Sequence, residues 1–331
     1  MKKLFISMLA IAALASCAKE DIVVSDPGEL IGFNSFVENS TRADAATDPS
    51  YSTTGKGVAL TQFNVYGAVN GVNIFNGNNV TKGDDVTYGD AWTLTGASQY
   101  WINGANYEFV AVVDGNKKVG EAVITSTALN ESGIPTAITY NSDGATDLLC
   151  AREVRPANTD TSVVSFEFTH LLSKVKFSVK NTTVAAATNY RIVLTSAQIT
   201  GALASNTYSV ANATWNTVNT TDNTKVFTLE NLTVNSYATQ YHSTELLLLP
   251  GVNVNVIVTA KVEAKDARDE WTEVSTMSKT FSNVLGEGTL VANNAYHFAV
   301  SLGIGEEIKF TATTMPEWVD GDGDDETPLQ M

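Results

Sequence analysis

Val252-Asn253-Val254-Asn255-Val256-Ile257-Val258-Thr259-Ala260-Lys261-Val262 is the stretch that decides the fold class. Every even position holds an apolar residue, and all but one of the odd positions between them hold a polar residue. Successive side chains of a β-strand point to opposite sides, so this alternation places the apolar residues on one face. The stretch therefore predicts a long strand that is buried on one side.

The same alternation recurs in other segments. It runs through residues 107–113 and, near the end of the chain, through residues 296–302 and 308–312, which the Gly303–Glu307 turn would join as a hairpin. Almost no stretch has the 3.6-residue apolar period of a helix, and clusters of Gly, Asn, Asp and Thr separate the short runs. The sequence therefore predicts an all-β chain.

Residues 166–179 contain a change of phase. Their apolar residues occupy even positions up to Leu172 and odd positions from Val175 onward. A shift of one residue exchanges the two faces of a strand, so we expect a bulge or a sharp bend between Leu171 and Lys174.

Length and turn content predict the domain organisation. The 331 residues, of which 44% are hydrophobic, fit two domains that each have a core. The turn-rich segment Pro156–Ser162 is the expected boundary, which gives a first β-sandwich at residues 43–160 and a second, with an acidic tail, at residues 161–331. We expect the Asn- and Gly-rich segment Val69–Gly89 to be a long loop that is either functional or mobile.

The N-terminus has the form of an export signal. Met1-Lys2-Lys3 precedes the apolar run Leu4–Leu14, which is too short to stay in a bilayer as a spanning helix, so residues 1–16 are the expected signal peptide. Leu14-Ala15-Ser16-Cys17 has the spacing of a bacterial lipobox, and an ordinary signal peptide with an incidental cysteine is the alternative. We expect acyl chains on Cys17 to anchor the protein to the outer membrane, at the cell surface.

Charge and cysteine content exclude some classes of protein. The formal net charge is −16 at pH 7, and losing Lys2 and Lys3 with the signal peptide would take it to −18. Such a charge repels phosphate backbones, so we expect no nucleic-acid partner. Cys17 and Cys150 are the two cysteines. With Cys17 acylated, Cys150 lacks a disulfide partner, and stability must come from burial of the core.

The residues that commonly carry chemistry do not form a recognisable site. His170, His242 and His297 lie in different segments, outside the spacing of metal ligands, and Cys150 in its apolar run is expected to be a small buried hydrophobe. The acidic run Asp320–Glu326 resembles the start of a calcium loop, but it lacks the glycine at position six and the glutamate at position twelve. We expect no cofactor, no metal site and no enzymatic activity, and a hydrolase with an unrecognised carboxylate pair is the distant alternative.

The tryptophans suggest another hypothesis. Exposed indole rings could stack on sugars, and with the Val69–Gly89 loop they would make a permanently lipid-anchored surface module for a glycan or a protein ligand. Anchoring a core or an interface is the commoner role for this residue in a β-sandwich, and we prefer it. The five are Trp92, Trp101, Trp215, Trp271 and Trp318.

Several motifs follow one another along nearly the whole chain, and each is weak alone. They are the lipobox Cys17, the apolar segment Leu30–Val37 followed by Asn39-Ser40-Thr41-Arg42-Ala43, Gln99-Tyr100-Trp101 before Tyr107–Ala111, Asp147–Ala151, Thr169–Lys174 within Phe166–Phe177, and Pro316–Gly321. In their order and spacing they resemble the fimbrillin family of the Bacteroidales, the lipoprotein-derived subunits of type V pili.

The resemblance implies two transthyretin-like Greek-key β-sandwiches in tandem, in a subunit of a cell-surface fimbria that supports adhesion to host or bacterial surfaces. It also implies a lipidated leader at residues 17–42, which an Arg-specific protease removes by cutting between Arg42 and Ala43. Arg42 is the single Arg or Lys between Lys19 and Lys56. Loss of the leader strand would open a groove for a strand of another copy or a related subunit. The residues of that removable strand are Leu30, Ile31, Phe33, Phe36 and Val37.

One feature departs from the family pattern. In the family the donated strand comes from the C-terminal region, but the residues after Trp318 are few, acidic and nearly without apolar side chains. Either the Ile308–Thr314 strand is the donor, or the chain accepts a strand without donating one, as a tip or accessory subunit.

Overall fold

The computed structural model describes residues 28–37, 50–51, 58–60, 62–82, 92–114, 124–184, 188–217, 223–235 and 237–315. Within these residues every regular element is a β-strand, which confirms the all-β fold. No helix in this part of the chain is long and apolar enough to cross a membrane.

The strands are short to medium in length and follow one another closely along the chain. In order they are β1 Phe33–Val37, β2 Ser50–Tyr51, β3 Val58–Ala59, β4 Gln62–Val69, β5 Val72–Lys82, β6 Trp92–Leu94, β7 Ala105–Val113, β8 Ile124–Leu129, β9 Pro135–Asn141, β10 Leu149–Asn158, β11 Val164–His170, β12 Ser173–Asn181, β13 Tyr190–Leu203, β14 Ser205–Ser209, β15 Thr214–Trp215, β16 Thr224–Asn235, β17 Thr239–Tyr241, β18 Leu246–Leu248, β19 Asn255–Lys265, β20 Trp271–Phe281, β21 Ala295–Leu302 and β22 Lys309–Met315.

The N-terminal half is built on a seven-stranded sheet with the order β1-β11-β10-β7-β4-β5-β6. All its neighbours are antiparallel except β1 and β11, which are parallel. The sheet curls until its two ends contact each other, and Leu30, just before β1, bridges Tyr100 in antiparallel fashion. An aromatic core fills the concave side and includes Phe33, Phe63, Phe109 and Phe166.

The C-terminal half is a sandwich of two sheets. One has the order β17-β12-β21-β22 with β18 also paired to β12, and the other has the order β16-β13-β19-β20. A further sheet, β15-β14-β9-β8, takes strands from both halves, because β14 pairs with β9. Its apolar residues join those of the C-terminal sandwich and the convex side of the first sheet in one continuous core. The chain therefore forms two tandem transthyretin-like β-sandwiches that share a sheet.

Several sequence predictions correspond to strands of the structure. The decisive stretch becomes β19, with Val256, Val258, Ala260 and Val262 buried, and residues 295–315 form the expected terminal hairpin. The change of phase after residue 170 is a break between strands, since β11 lies in the first sheet and β12 in the second. Pro156–Ser162, where we expect the domain boundary, joins β10 to β11 of one sheet, and the chain leaves that sheet at Leu171.

The predicted long loop at Val69–Gly89 is wrong for the residues up to Lys82. Asn70 and Gly71 form a two-residue turn with φ angles of 48° and 79°, and β4 and β5 pair on either side of it. Asn-Gly is the preferred pair for such hairpin turns, because both positions need positive φ. β5 contains many asparagines, and two shifts of register in the β4–β5 ladder interrupt the alternation of its apolar and polar residues. Its sequence therefore lacks the usual pattern of a strand. Residues 83–89 lie outside the described part.

Substitution of Gly67 tests how tightly the aromatic core is packed. A methyl group on Gly67 would lie 2.7 Å from Phe75 Cδ2 and 2.9 Å from Phe109 Cδ1. We expect Gly67→Ala to lower the free energy of unfolding by about 1–3 kcal/mol through overpacking. Gly32→Ala is the control, because its methyl group would make an ordinary contact of 3.5 Å with Val163 Cγ2. Urea unfolding of both variants measures the difference, and equal stabilities would contradict this description of the core.

Candidate functional site: the edge occupied by β1

β1 reaches its place in the first sheet from far away in the sequence. It pairs in parallel with β11, with Phe33 beside Val164 and Val37 beside Phe168. On the other side, the amide of Ile31 donates to the carbonyl of Gln99 at 2.9 Å, and the amide of Trp101 donates to the carbonyl of Glu29 at 2.9 Å. A segment that precedes both partners by tens of residues therefore closes the curled sheet.

The side chains of this segment alternate between core and solvent. Ile31, Phe33 and Ser35 are 5%, 6% and 5% exposed, while Leu30 is 53% exposed and Asn34 is also on the outside. We call the edge of β11, the main chain of residues 99–101 and the core side chains around Ile31, Phe33 and Ser35 the β1 seat. The seat accepts three inward side chains at alternate positions.

Phe33 is the main anchor in the β1 seat. Its ring stacks on Phe166 with centroids 5.8 Å apart and meets Phe75 and Phe109 edge to face at 5.4 and 6.0 Å. Burial of a phenylalanine contributes about 1.5–3 kcal/mol, and each favourable ring pair adds about 0.5–1.5 kcal/mol. Phe33 therefore makes a large contribution to the free energy that holds β1 in the sheet.

Polar contacts fix the end of the β1 seat where the chain enters. Thr161 donates its hydroxyl to Glu29 Oε2 at 2.5 Å, and the Arg155 guanidinium lies 5.2 Å from the Trp101 ring centroid. Arg155 also donates to the carbonyls of residues 162 and 163 at 3.0 and 3.1 Å. The backbone amide of Ser162, followed by its hydroxyl, lowers the pKa of the exposed Asp160 carboxyl. These bonds order the turn between β10 and β11 beside β1.

Away from the β1 seat, the titratable side chains of Cys150 and His170 are buried in the core. Burial raises the pKa of the Cys150 thiol to about 12, so it stays protonated and unreactive at neutral pH. His170 Nδ1 hydrogen-bonds to Asp147 Oδ2 inside the protein, a pairing that no sequence motif predicts. It arises because β10 and β11 set Leu149 beside His170 in register. Among the described residues, no group of three or more His, Cys, Asp or Glu side chains could hold a metal ion.

The tryptophans of the described part all contact protein groups. Trp101 is buried, Trp92 packs on Phe63 with centroids 5.1 Å apart, and Trp215 donates to the carbonyl of Leu171 at 2.8 Å. The Trp271 ring lies beneath the guanidinium of Arg191, 4.4 Å from the ring centroid. These contacts are typical of tryptophans that stabilise the fold. They do not favour the hypothesis that exposed indole rings bind sugars, and most of the long loop in that hypothesis belongs to the β4–β5 hairpin.

The predicted site residues divide into two groups. Leu30, Ile31 and Phe33 lie in or next to the β1 seat, and Phe36 and Val37 pair with Glu167 and Phe168 in the backbone register. Cys17, Arg42, Ala43, Trp318 and the acidic run Asp320–Glu326 lie outside the described residues. Gln99-Tyr100-Trp101 is distinctive in the sequence only through the family resemblance, and no local signal predicts its pairing with residues 29–31.

Comparison with known proteins gives a family and a fold. The model of a family described as fimbrillin-like matches residues 41–318. A comparison with curated protein sequences finds no match. A fimbrial protein from Bacteroides vulgatus has a similar structure, with a TM-score of 0.57 at 14% identity over 88% of this chain and 100% of that one.

Two candidate cell adhesion proteins are also similar in structure. The one from Bacteroides ovatus has a TM-score of 0.49 at 13% identity, over 89% of this chain and 99% of that one. The one from Bacteroides uniformis has a TM-score of 0.47 at 13% identity, over 86% of this chain and 97% of that one. Of these three proteins, the one from Bacteroides vulgatus has a TM-score above 0.5, and at 14% identity it shows a similar fold.

Phe33→Ala tests the anchoring of β1. Because the substitution empties a pocket between three aromatic rings, we expect it to lower the free energy of unfolding of the uncut protein by about 3–5 kcal/mol. Leu30→Ala removes an apolar side chain of similar reach from the exposed side of the same segment, and we expect a change within about 0.5 kcal/mol. Urea titration followed by tryptophan fluorescence measures both. Equal effects of the two variants would mean that Phe33 does not anchor β1.

Proposed function

The chain belongs to the fimbrillin-like family, and on that basis we propose that it is a structural subunit of a cell-surface fimbria that supports adhesion. In this proposal the precursor is exported as a lipoprotein anchored through Cys17. Proteolysis between Arg42 and Ala43 then matures it, and subunits assemble by β-strand addition. The observation that carries the proposal is the position of β1, which completes a sheet while lying upstream of the lone leader arginine.

A cut after Arg42 would separate β1 covalently from the protein that it completes. Once β1 leaves, the edge of β11 loses its backbone partner, and the amide of Trp101 and the carbonyl of Gln99 lose theirs. The rings around Phe33 would be exposed at the same time. Unpaired main-chain groups beside an apolar pocket are the requirements for binding an extended strand from another protein.

Adding strands in this way would build a filament. The acceptor surface is the β1 seat of one copy, and the donated strand belongs to another copy or to a related subunit. The two surfaces differ, so the contact is heterologous, and its repetition gives an open assembly. The lipid on Cys17 would leave with the leader, which frees the mature subunit from the membrane.

The maturation step can be tested with an Arg-specific protease on the folded precursor. We expect cleavage to expose Ala43 as the new N-terminus, to release the leader and to convert the monomer into oligomers. Arg42→Gln should stay uncut at that site and monomeric. Arg268→Gln is the matched control, because Arg268 is exposed in the turn between β19 and β20 and outside the β1 seat.

N-terminal sequencing and size-exclusion chromatography give the readout. Cleaved protein that releases its leader and remains monomeric would overturn the assembly mechanism. Oligomers of equal size from uncut Arg42→Gln would overturn the role of maturation.

A further inference from the structure

The sheet β17-β12-β21-β22 has an outer face that is basic, although the chain as a whole has a net charge of −16. Val175, Phe177 and Val179 of β12 belong to the core, so the residues between them point outward. The strand registers arrange these outward residues in rows across β12, β21 and β22. From one end of the face to the other, the rows are Lys174 with Ala295 and Met315, Lys176 with His297 and Thr313, Ser178 with Ala299 and Thr311, and Lys180 with Ser301 and Lys309.

We call this outer surface the lysine face. It carries four lysines and a histidine, and the strands of its sheet contain no Asp or Glu. A carboxylate next to it is Glu245, in the loop before β18, whose Oε2 lies 2.9 Å from Lys174 Nζ and whose Oε1 lies 3.4 Å from Lys176 Nζ. Glu306 lies near the other end, where its Oε2 accepts the hydroxyl of Thr182 at 2.7 Å.

The lysines differ in exposure between the two ends of the lysine face. Lys174 is fully buried and Lys176 is half-buried, and both contact Glu245. Lys180 and Lys309 are exposed, and within the described residues neither has an ion-pair partner. Their main chains are about 10 Å apart, twice the spacing of neighbouring strands. The face therefore ends in two exposed positive charges that a single acidic segment can contact together.

Small side chains occupy the row between the two ends. Ser178, Ala299 and Thr311 form this row, and none of them is larger than threonine. Ser178 is buried, with its Oγ 2.7 Å from His297 Nε2 in the next row. The row leaves room for an extended segment to lie between the lysines.

The acidic tail of the chain begins at the lysine face. β22 ends at Met315, in the same row as Lys174. Pro316 follows, and a proline cannot donate a further hydrogen bond to the ladder. Residues 316–331 contain six carboxylate side chains and no Lys or Arg. The most acidic segment of the chain therefore follows directly from a strand of its most basic sheet face.

The tail is long enough to cover the lysine face. The rows of Lys174 and Lys180 are six residues apart along β12, which corresponds to about 20 Å. Asp320 and Glu326 follow Met315 by five and eleven residues, so in an extended chain they reach about 17 and 36 Å. A short tether gives an effective concentration on the order of millimolar, at which ion pairs that are weak individually can hold a segment together.

We propose that the acidic tail binds the lysine face of its own molecule, so that carboxylates of Asp320–Glu326 pair with Lys180 and Lys309. The run that resembles the start of a calcium loop then has lysines of the same chain as its partners, in place of a metal ion. The contact belongs to the uncut monomer, so it is independent of leader removal and strand exchange.

Zero-length crosslinking of the uncut full chain tests the contact. A carbodiimide joins a lysine amine directly to a carboxylate that touches it. At low salt we expect peptides that join Lys180 or Lys309 to Asp320–Glu326, with a yield about fivefold lower at 1 M salt, where the screening length is about 3 Å. Lys225 is the control lysine, because it is exposed on β16 of the other sheet.

Mixing isotope-labelled and unlabelled protein distinguishes a contact within one molecule from a contact between two. We expect each crosslinked peptide pair to have a single isotope composition. Pairs of mixed composition would mean that the tail of a second copy occupies the face, and they would overturn the proposal. Equal yields through Lys225, or no crosslinks at Lys180 and Lys309, would also overturn it.

Competition with a free peptide measures how fully the tail occupies the lysine face. A full-length neutral-tail variant carries Asp320→Asn, Asp322→Asn, Asp324→Asn, Asp325→Asn and Glu326→Gln. We expect this variant to bind a fluorescent peptide of residues 316–331 about tenfold more tightly than the wild type, whose own tail competes for the face. Equal affinities of the two proteins for the peptide would contradict the proposal.

Substitutions of lysines in the neutral-tail variant locate the binding surface. Lys180→Gln/Lys309→Gln should weaken binding of the peptide about threefold to tenfold, because it removes two exposed charges. Lys225→Gln is the matched control and should leave the affinity unchanged. Equal losses in the Lys225 variant and the double variant would mean that the peptide responds to net charge alone, which would overturn the assignment of the face.

Discussion

The N-terminal unit depends on one constraint, that the open edge of β11 must be covered. A strand edge beside an aromatic core has unpaired main-chain groups and an apolar surface, and both are costly in water. β1 covers this edge, and the main chain of residues 99–101 completes the closure from the other side. The neighbouring strands β11 and β10 are consecutive in the chain, whereas β1 is joined to them only through a long stretch of intervening sequence. A single cut in this intervening sequence would therefore separate β1 covalently from the rest of the unit.

Two features with opposite effects determine how tightly β1 is bound in the sheet. Phe33 anchors it through three rings, and Ser35 places an unpartnered hydroxyl two residues later in the same apolar surrounding. A buried hydroxyl without a partner weakens the binding of a strand, and a strand without an anchor would leave the β11 edge open. The combination gives a strand that covers the β11 edge but is bound less tightly than a strand with an entirely apolar inward face would be.

Local features of the fold were predictable from the sequence, and non-local ones were not. Alternation identifies β19 and the β21–β22 hairpin because the period of a strand is a property of neighbouring residues. The parallel pairing of β1 with β11, the β9–β14 link between the halves and the buried Asp147–His170 pair all depend on which distant segments meet. The Asn70-Gly71 turn had a local signal, but the polar composition of β5 outweighed it in our prediction of a loop. The apolar run Leu30–Val37 predicted a strand, and only the structure shows that Ser35 belongs to its buried face.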